Sequence, residues 1–511
     1  MELQLHTVEH DFFERVDLQP VSCETMRENI VPDSCADIAR IVETTGEVYL
    51  TGRDMMADGR FSATGTVDVS ILYIPEKGVG PCVLRYQLPF HCSGEGHEGE
   101  LEHFDVHAEL RSVDTRVLNP RKVLTRVDLL LYPSGCRKRK LKLCSGQEQE
   151  EKGLQMLHRT CKTKTIAAVR EKEFSFSEDL IPAAGRNRAA EILRSTLFIR
   201  CGDSKIIGNK VVVKGMLSAH ILYREESGEV TSLQQDVPFS QIMEGSGLQE
   251  QWECVSRGQL LGTECTIGGG KGSGEGASIL TLSVQMRIRT LVWKEEEMEL
   301  MADLYSTSEP VKTCMEEISL QQVNHRQSRR MTGREILETG VAVKRVVDAC
   351  VSCAVGCPEG GGDHLDIPVT AWCLYTDEND MLHSVERTFR LPCSAEVGEN
   401  VHLRGGGECR GDVMAAIFPE GIELRFPVDC TLEGWQSVRY LCVAGVEAEE
   451  QGADRVEEPS LILRKLDARE SLWSVAKQYR TTCRAILAVN EIESEAQIPR
   501  DRLLLIPRVR G

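Results

Sequence analysis

Apolar and polar residues alternate along most of this chain. In "GEVYLTGRDMMADGRFSATGTVDVSILYIPEKG" (Gly46–Gly78), Val48 and Leu50, then Phe61, Val67, Val69 and Ile71, are punctuated by Gly46, Gly52, Gly59 and Gly78. A period of two broken by glycine turns predicts half-buried antiparallel strands. The pattern returns in "STLFIRCGDSKIIGNKVVVKGMLSAHILYREESG", with strands expected around Leu197–Ile199, Val211–Val213 and Leu217–Tyr223. A third version, around "VVDACVSCAVG" and "HLDIPVTAWCLYTDEND", is less regular. Each is followed by a second β-rich stretch, starting at Asn119, Ala277 and Gly421.

These are copies of one pattern. "ILYIPEKGVGPCVLRYQLPF" (71–90), "ILYREESGEVTSLQQDVPF" (221–239) and "CLYTDENDMLHSVERTFRLPC" (373–393) align on Tyr73, Tyr223 and Tyr375, which are 150 and 152 residues apart. From tyrosine to proline (Pro89, Pro238, Pro392) the gaps are 16, 15 and 17 residues, the variation a hairpin loop absorbs. A period of that length is domain-sized, well above the roughly 20–50 residues of solenoid repeats. The expected organisation is an N-terminal segment (1–27), β-rich modules at 28–135, 165–305 and 335–450 with the third degenerate, polar connectors at 136–164 and 306–334, and an acidic linker at 451–459.

The period changes after the linker. Leu472, Val475, Ala476 and Tyr479 recur at helical spacing behind a capping Ser471, and Thr482 is placed to cap a second helix carrying Ile486 and Leu487 and ending at Asn490. A short strand from Leu461 and a closing "LLLIP" complete a βααβ unit at 460–511.

Charge and chemistry narrow the function. The net charge of −19 argues against nucleic acid and anionic membranes as partners. The segment from 460 to 511 carries ten Lys and Arg against six Asp and Glu, a +4 end on a −23 body. The acidic N-terminal stretch does not read as a signal peptide, and the twenty cysteines read as reduced core residues of a cytosolic chain. Cys350, Cys353 and Cys357, with His364 nearby, lack a second ligand pair at zinc-site spacing. "IGGGKGSGEG" (267–276) misses the phosphate-loop spacing and reads as a loop within the second module. "CRKRKLKLC" (136–144) reads as a solvated strand, and His91, His97, His103 and His107 fall in a stretch read as a Gly- and Glu-rich loop. With no nucleophile motif or nucleotide fingerprint, the expectation is a non-enzymatic protein with no cofactor and no metal.

Two family resemblances sharpen this. Arg469-Glu470-Ser471-Leu472 followed by "WSVAKQY", then Asn490 and the closing Ile506-Pro507, resembles a LysM domain. "ENIVPDSCADIARIVETTGEVYLTG" (28–52), with Val31-Pro32-Asp33 and Ala36-Asp37-Ile38 ahead of "VSILY" and "LPF", resembles the start of a SPOCS module. Three SPOCS-like modules ahead of one LysM resemble the layout of a clostridial spore-coat morphogenetic family. That resemblance implies a mother-cell cytoplasmic scaffold recruited to the forespore surface. Its LysM domain would contact the ATPase of the coat basement layer, and its modules would present surfaces in series to other coat proteins.

In LysM domains glycan lies between the turn before the first helix and the loop after the second. Here that groove comprises Arg469, Glu470, Ser471, Leu472 and Trp473 on one side and Asn490, Glu491 and Ile492 on the other. Arg469 replaces the usual glycine, and Glu491, Glu493 and Glu495 make the facing loop acidic. Both changes favour a protein partner, with peptidoglycan or another N-acetylglucosamine polymer as the alternative. Trp473 falls beside the core stripe and is expected to be an exposed anchor. Leu472 reads as core and Asn490 equally as a helix cap.

Overall fold

In the computed structural model the three copies of the repeated sequence each form a three-stranded antiparallel meander. The structure describes residues 5–78, 80–97, 99–147, 153–183, 187–268, 278–354, 364–394, 401–409, 413–448, 460–467, 470–498 and 503–508. β1 (Leu5–Asp17) and β2 (Val21–Ile30) precede the first meander, β3 (Ile38–Met55), β4 (Arg60–Pro75) and β5 (Cys82–Glu95). β6 (Glu102–Asn119) and β7 (Lys122–Gln147) pair with each other and, with β2 on β7, cover it. The second copy runs β8 (Leu154–Leu180), meander β9 (Ala189–Ile207), β10 (Lys210–Glu225) and β11 (Val230–Glu244), then β12 (Glu253–Gly268) and β13 (Ile279–Ser306). The third runs β14 (Val311–Glu338), meander β15 (Val343–Cys353), β16 (His364–Asp377) and β17 (Leu382–Ser394), then β18 (His402–Cys409), β19 (Met414–Phe418) and β20 (Gly421–Ala448). The expected mainly-β class is observed, and the stretches from Asn119, Ala277 and Gly421 correspond to β7, β13 and β20.

The repeated tyrosines are core anchors. Tyr73, Tyr223 and Tyr375 each lie at 3% exposure or less in the core between their own meander and its cover sheet. In the first two copies a phenylalanine from the "PF" turns onto a glycine opposite it, Phe90 on Gly65 and Phe239 on Gly215. A Cβ at Gly65 would lie 2.7 Å from the Phe90 ring, and one at Gly215 would lie 2.1 Å from that of Phe239. In the third copy Ile367 faces Leu391 at this depth and the lock is lost, which accounts for the degenerate motif.

Strand alternation turns the residue before each tyrosine to the opposite face. Leu72, Leu222 and Leu374 do not meet solvent there. They meet one another, in a cluster with Val42, Leu193, Val230 and Leu382 drawn from all three meanders. The modules therefore close around a common centre and do not stand in series. Opposite those leucines in the register sit Glu43, Arg194 and Asp348. Arg194 binds Glu43 at 2.6 Å and also binds Asp348, with all three side chains at 10% exposure or less.

A second junction corrects the expected connectors. Residues 136–164 and 306–334 are mainly long strands: β7, β8, β13, β14 and β20 run 26 to 28 residues and overshoot their modules. The expected N-terminal segment is also strand, with β1 between β7 and β8 in a seven-stranded sheet. Three ribbons, β1/β7, β8/β13 and β14/β20, thus form a stalk around Phe12, Leu141, Leu143, Cys161, Met298, Leu300, Ile318, Leu320 and Cys442.

Smaller readings change too. Val211–Val213 and Leu217–Tyr223 are one strand, β10. The histidine-bearing stretch is mostly the end of β5 and the start of β6. "CRKRKLKLC" lies on β7 in the stalk, where β1 neutralises much of it: Arg137 binds Glu14 at 2.5 Å and Lys142 binds Glu9 at 2.9 Å. Its Cys136, Leu141, Leu143 and Cys144 face inward and are buried. The expected linker at 451–459, most of the glycine loop, and Cys357 lie outside the described residues.

Candidate functional site

The last domain pairs β21 (Leu461–Lys465) with β22 (Leu503–Pro507) and packs α1 (Leu472–Gln478) and α2 (Cys483–Val489) on one face. The caps are those the sequence predicts. Ser471 Oγ accepts the Ser474 N–H at 3.1 Å, and Thr482 Oγ1 accepts the Ala485 N–H at 3.0 Å. Leu472, Val475, Ala476, Ile486 and Ile506 form the core, and Leu504 is buried beside them.

The two expected walls of the groove meet. The Leu472 N–H donates to Glu495 Oε1 at 2.8 Å, joining the turn before α1 to the loop after α2. Glu495 thereby takes an amide of the groove, a role that alternation and capping rules cannot reveal because it depends on loop closure. Glu470 accepts from Arg464 at 2.7 Å and is half-buried. Leu472 is a core residue at 1% exposure. Asn490 ends α2 and ties it to β22: its Nδ2 donates to the Ile486 and Leu505 carbonyls, both at 2.7 Å, and its Oδ1 accepts the Leu505 N–H at 2.8 Å. Glu491 is exposed in the left-handed region (φ 55°), and Ile492 is half-buried. Arg469 lies outside the described residues.

Trp473 differs from expectation. Its indole Nε1 donates to Asp303 Oδ2 at 2.8 Å, and its ring meets Tyr305 edge-on at a centroid distance of 4.8 Å. Lys477 binds the other oxygen of Asp303 at 2.5 Å, and the Tyr305 hydroxyl donates to the Thr481 carbonyl at 2.7 Å. Asp303 and Tyr305 lie at the end of β13, so the tryptophan anchors this domain to the stalk of its own chain. Burial pushes the Asp303 pKa up, but the hydrogen bonds from Lys477 and Trp473 outweigh it and leave the group below the ordinary aspartate value.

Among the described residues, the outer face of the two-stranded sheet has no such cover. Alternation turns Ile462, Leu504 and Ile506 toward the helices and Leu461, Leu463 and Leu503 outward, at 50%, 58% and 53% exposure. Leu461 and Leu463 pair with Pro507 and Leu505, and Leu503 sits diagonal to Leu463, so exposed apolar side chains run along this face and mark a contact surface.

Elsewhere, Cys350 and Cys353 both lie on β15, and burial raises both thiols above the ordinary cysteine range. His91 bonds Ser62 at 3.2 Å, His103 stacks edge-on against Phe13, and His107 lies 3.4 Å from Glu109, so these histidines serve separate local contacts.

Comparison with known families places this geometry. Residues 188–267, from the start of β9 into β12, match the family described as SipL, SPOCS domain. Residues 468–507 match the LysM domain. The chain thus carries a match to a SPOCS domain and, toward its C-terminal side, a match to a LysM domain. That pairing fits a spore coat-associated protein with a domain of the peptidoglycan-binding type. No curated protein and no solved structure matches the chain. Among the described residues, no helix is long and apolar enough to cross a membrane.

Proposed function

We propose that this protein is a non-enzymatic adaptor of endospore coat assembly. In this reading it acts in the mother-cell cytoplasm at the forespore surface. Its LysM domain docks to the morphogenetic ATPase of the coat basement layer, and its fused SPOCS body offers surfaces to other coat proteins. The carrying observation is the bare leucine face of the LysM sheet, Leu461, Leu463 and Leu503. Apolar side chains grouped on one exposed face suit a protein interface, whereas a sugar chain needs polar donors and stacking rings. The groove supports the same reading, because the Leu472 amide is already bonded to Glu495.

Peptidoglycan binding is the second reading, favoured by the LysM match itself. The two separate in one experiment on the intact chain. Leu463→Asp is expected to abolish capture of the ATPase, because it sets a charge into an apolar contact, while leaving unfolding unchanged at an exposed site. Undiminished capture by the folded variant would remove the leucine face from the proposal.

A further inference from the structure

Where the three modules narrow into the stalk, β6, β12 and β18, the strands that follow the three meanders, surround a cavity of about 410 Å³. Its wall holds five arginines and three carboxylates, a net positive chamber inside a chain of net charge −19. Four of the arginines have acidic partners. Arg404 bridges Asp17 and Glu433 at 2.8 and 2.9 Å, and Arg15 holds the other oxygen of Asp17 at 2.8 Å. Arg289 binds Asp105 at 2.9 Å, and Arg287 binds Glu173 at 2.6 Å.

Arg257, on β12, is the exception. It lines the cavity, is open to the solvent within it, and has no hydrogen bond or ion pair among the described residues. Desolvation by the cavity walls, followed by the charges of Arg15 and Arg404, pushes its pKa down, against the pull of Glu433 and Asp17. The same arginines hold the opposing acids down, Glu433 and Asp17 each to about 2, so none of that negative charge is lost near neutral pH. A guanidinium that faces two other arginines and has no fixed partner in the wall can take an anion from solution.

We propose that this chamber binds a small multivalent oxyanion, with Arg257 as its primary contact. Guanidinium forks match phosphate and carboxylate oxygens in pairs. The volume lies in the ~300–1,000 Å³ range of small-molecule sites. The ligand would touch strands of all three modules at once, so its binding would hold the closed body together.

The test uses the intact chain, followed by calorimetry and thermal unfolding. Sodium pyrophosphate and sodium citrate are titrated separately against sodium chloride at matched ionic strength. One of the two anions is expected to bind saturably and raise the unfolding temperature where chloride does not, and the more effective one assigns the ligand to phosphate or to carboxylate chemistry. Arg257→Gln is expected to lower that affinity about tenfold or more, the loss of one charge-assisted pair. Its unliganded unfolding temperature should equal or exceed that of the parent, because an unpaired cation has gone. Arg116→Gln, at an exposed site on β6, should bind as the parent does. No saturation by either anion, equal affinity in Arg257→Gln, or a lower unliganded unfolding temperature in that variant would each overturn the proposal.

Discussion

At the scale of single residues, Trp473 shows how a side chain read as an outward anchor serves its own chain. The sequence places it one step off the apolar stripe of α1, which leaves it uncovered if the domain stands alone. Its cover, Tyr305 and Asp303, lies 168 and 170 residues earlier, beyond the reach of any local pattern. A hydrogen bond to a charged acceptor contributes about 1.5–3 kcal/mol, and an edge-on aromatic pair about 0.5–1.5 kcal/mol. Trp473→Ala is therefore expected to weaken the LysM contact with the stalk by about 2 kcal/mol, read as faster amide exchange in α1 and at the end of β13. Unchanged exchange there would show that the contact does not hold the domain. The pH dependence has a definite sign. Asp303 sits below its ordinary value of 3.8, so its contribution is complete above that pH and is lost as pH falls through the depressed value. Exchange in α1 should accelerate only in that acid range, and Asp303→Asn should remove the step.

At the scale of elements, the repeats were legible and the stalk was not. Leu-Tyr at the end of each middle strand gives the copies away, and strand alternation places leucine and tyrosine on opposite faces. It could not say that the leucine face is covered by the sister modules. The stalk is hidden where it crosses β8, whose inner face is small and polar: Cys161, Thr163 and Thr165 are all buried, so "HRTCKTKT" shows no apolar period. The caps of α1 and α2 were readable because each is settled within four residues. Beside the leucine cluster, Arg194 joins β9 to Glu43 of β3 and Asp348 of β15. Removing one partner of such a buried group costs about 3–5 kcal/mol, whereas replacing the whole group with apolar residues of similar volume is often neutral or better. Arg194→Ala should therefore lower stability to denaturant by about that amount. Combining Arg194→Met with Glu43→Leu and Asp348→Leu should recover most of it. A mild effect of the single change would show that the three charges contribute little to closure.

At the scale of the whole molecule, closure makes stability depend on a carboxyl at the seam between modules. Glu47 on β3 accepts a hydrogen bond from the Leu197 backbone on β9, and burial is the main cause that raises its pKa from 4.5 to about 8. A raised carboxyl favours the folded state fully below pH 4.5, and that benefit is lost as pH rises toward 8, at up to about 1.4 kcal/mol per pH unit. The unfolding temperature should fall between pH 5 and pH 8, and Glu47→Gln should flatten the slope. An unaltered slope in that variant would assign the dependence to another group.

The central claim is that the LysM domain, anchored by α1 to its own stalk, meets a protein through its outer face. The most direct measurement is a parallel calorimetric titration of the intact chain with the coat basement-layer ATPase and with soluble chitopentaose. Saturable binding of the ATPase, lost in Leu463→Asp, with no heat from the sugar, is the predicted result. Saturable binding of chitopentaose with none of the ATPase would contradict it and return the domain to glycan recognition.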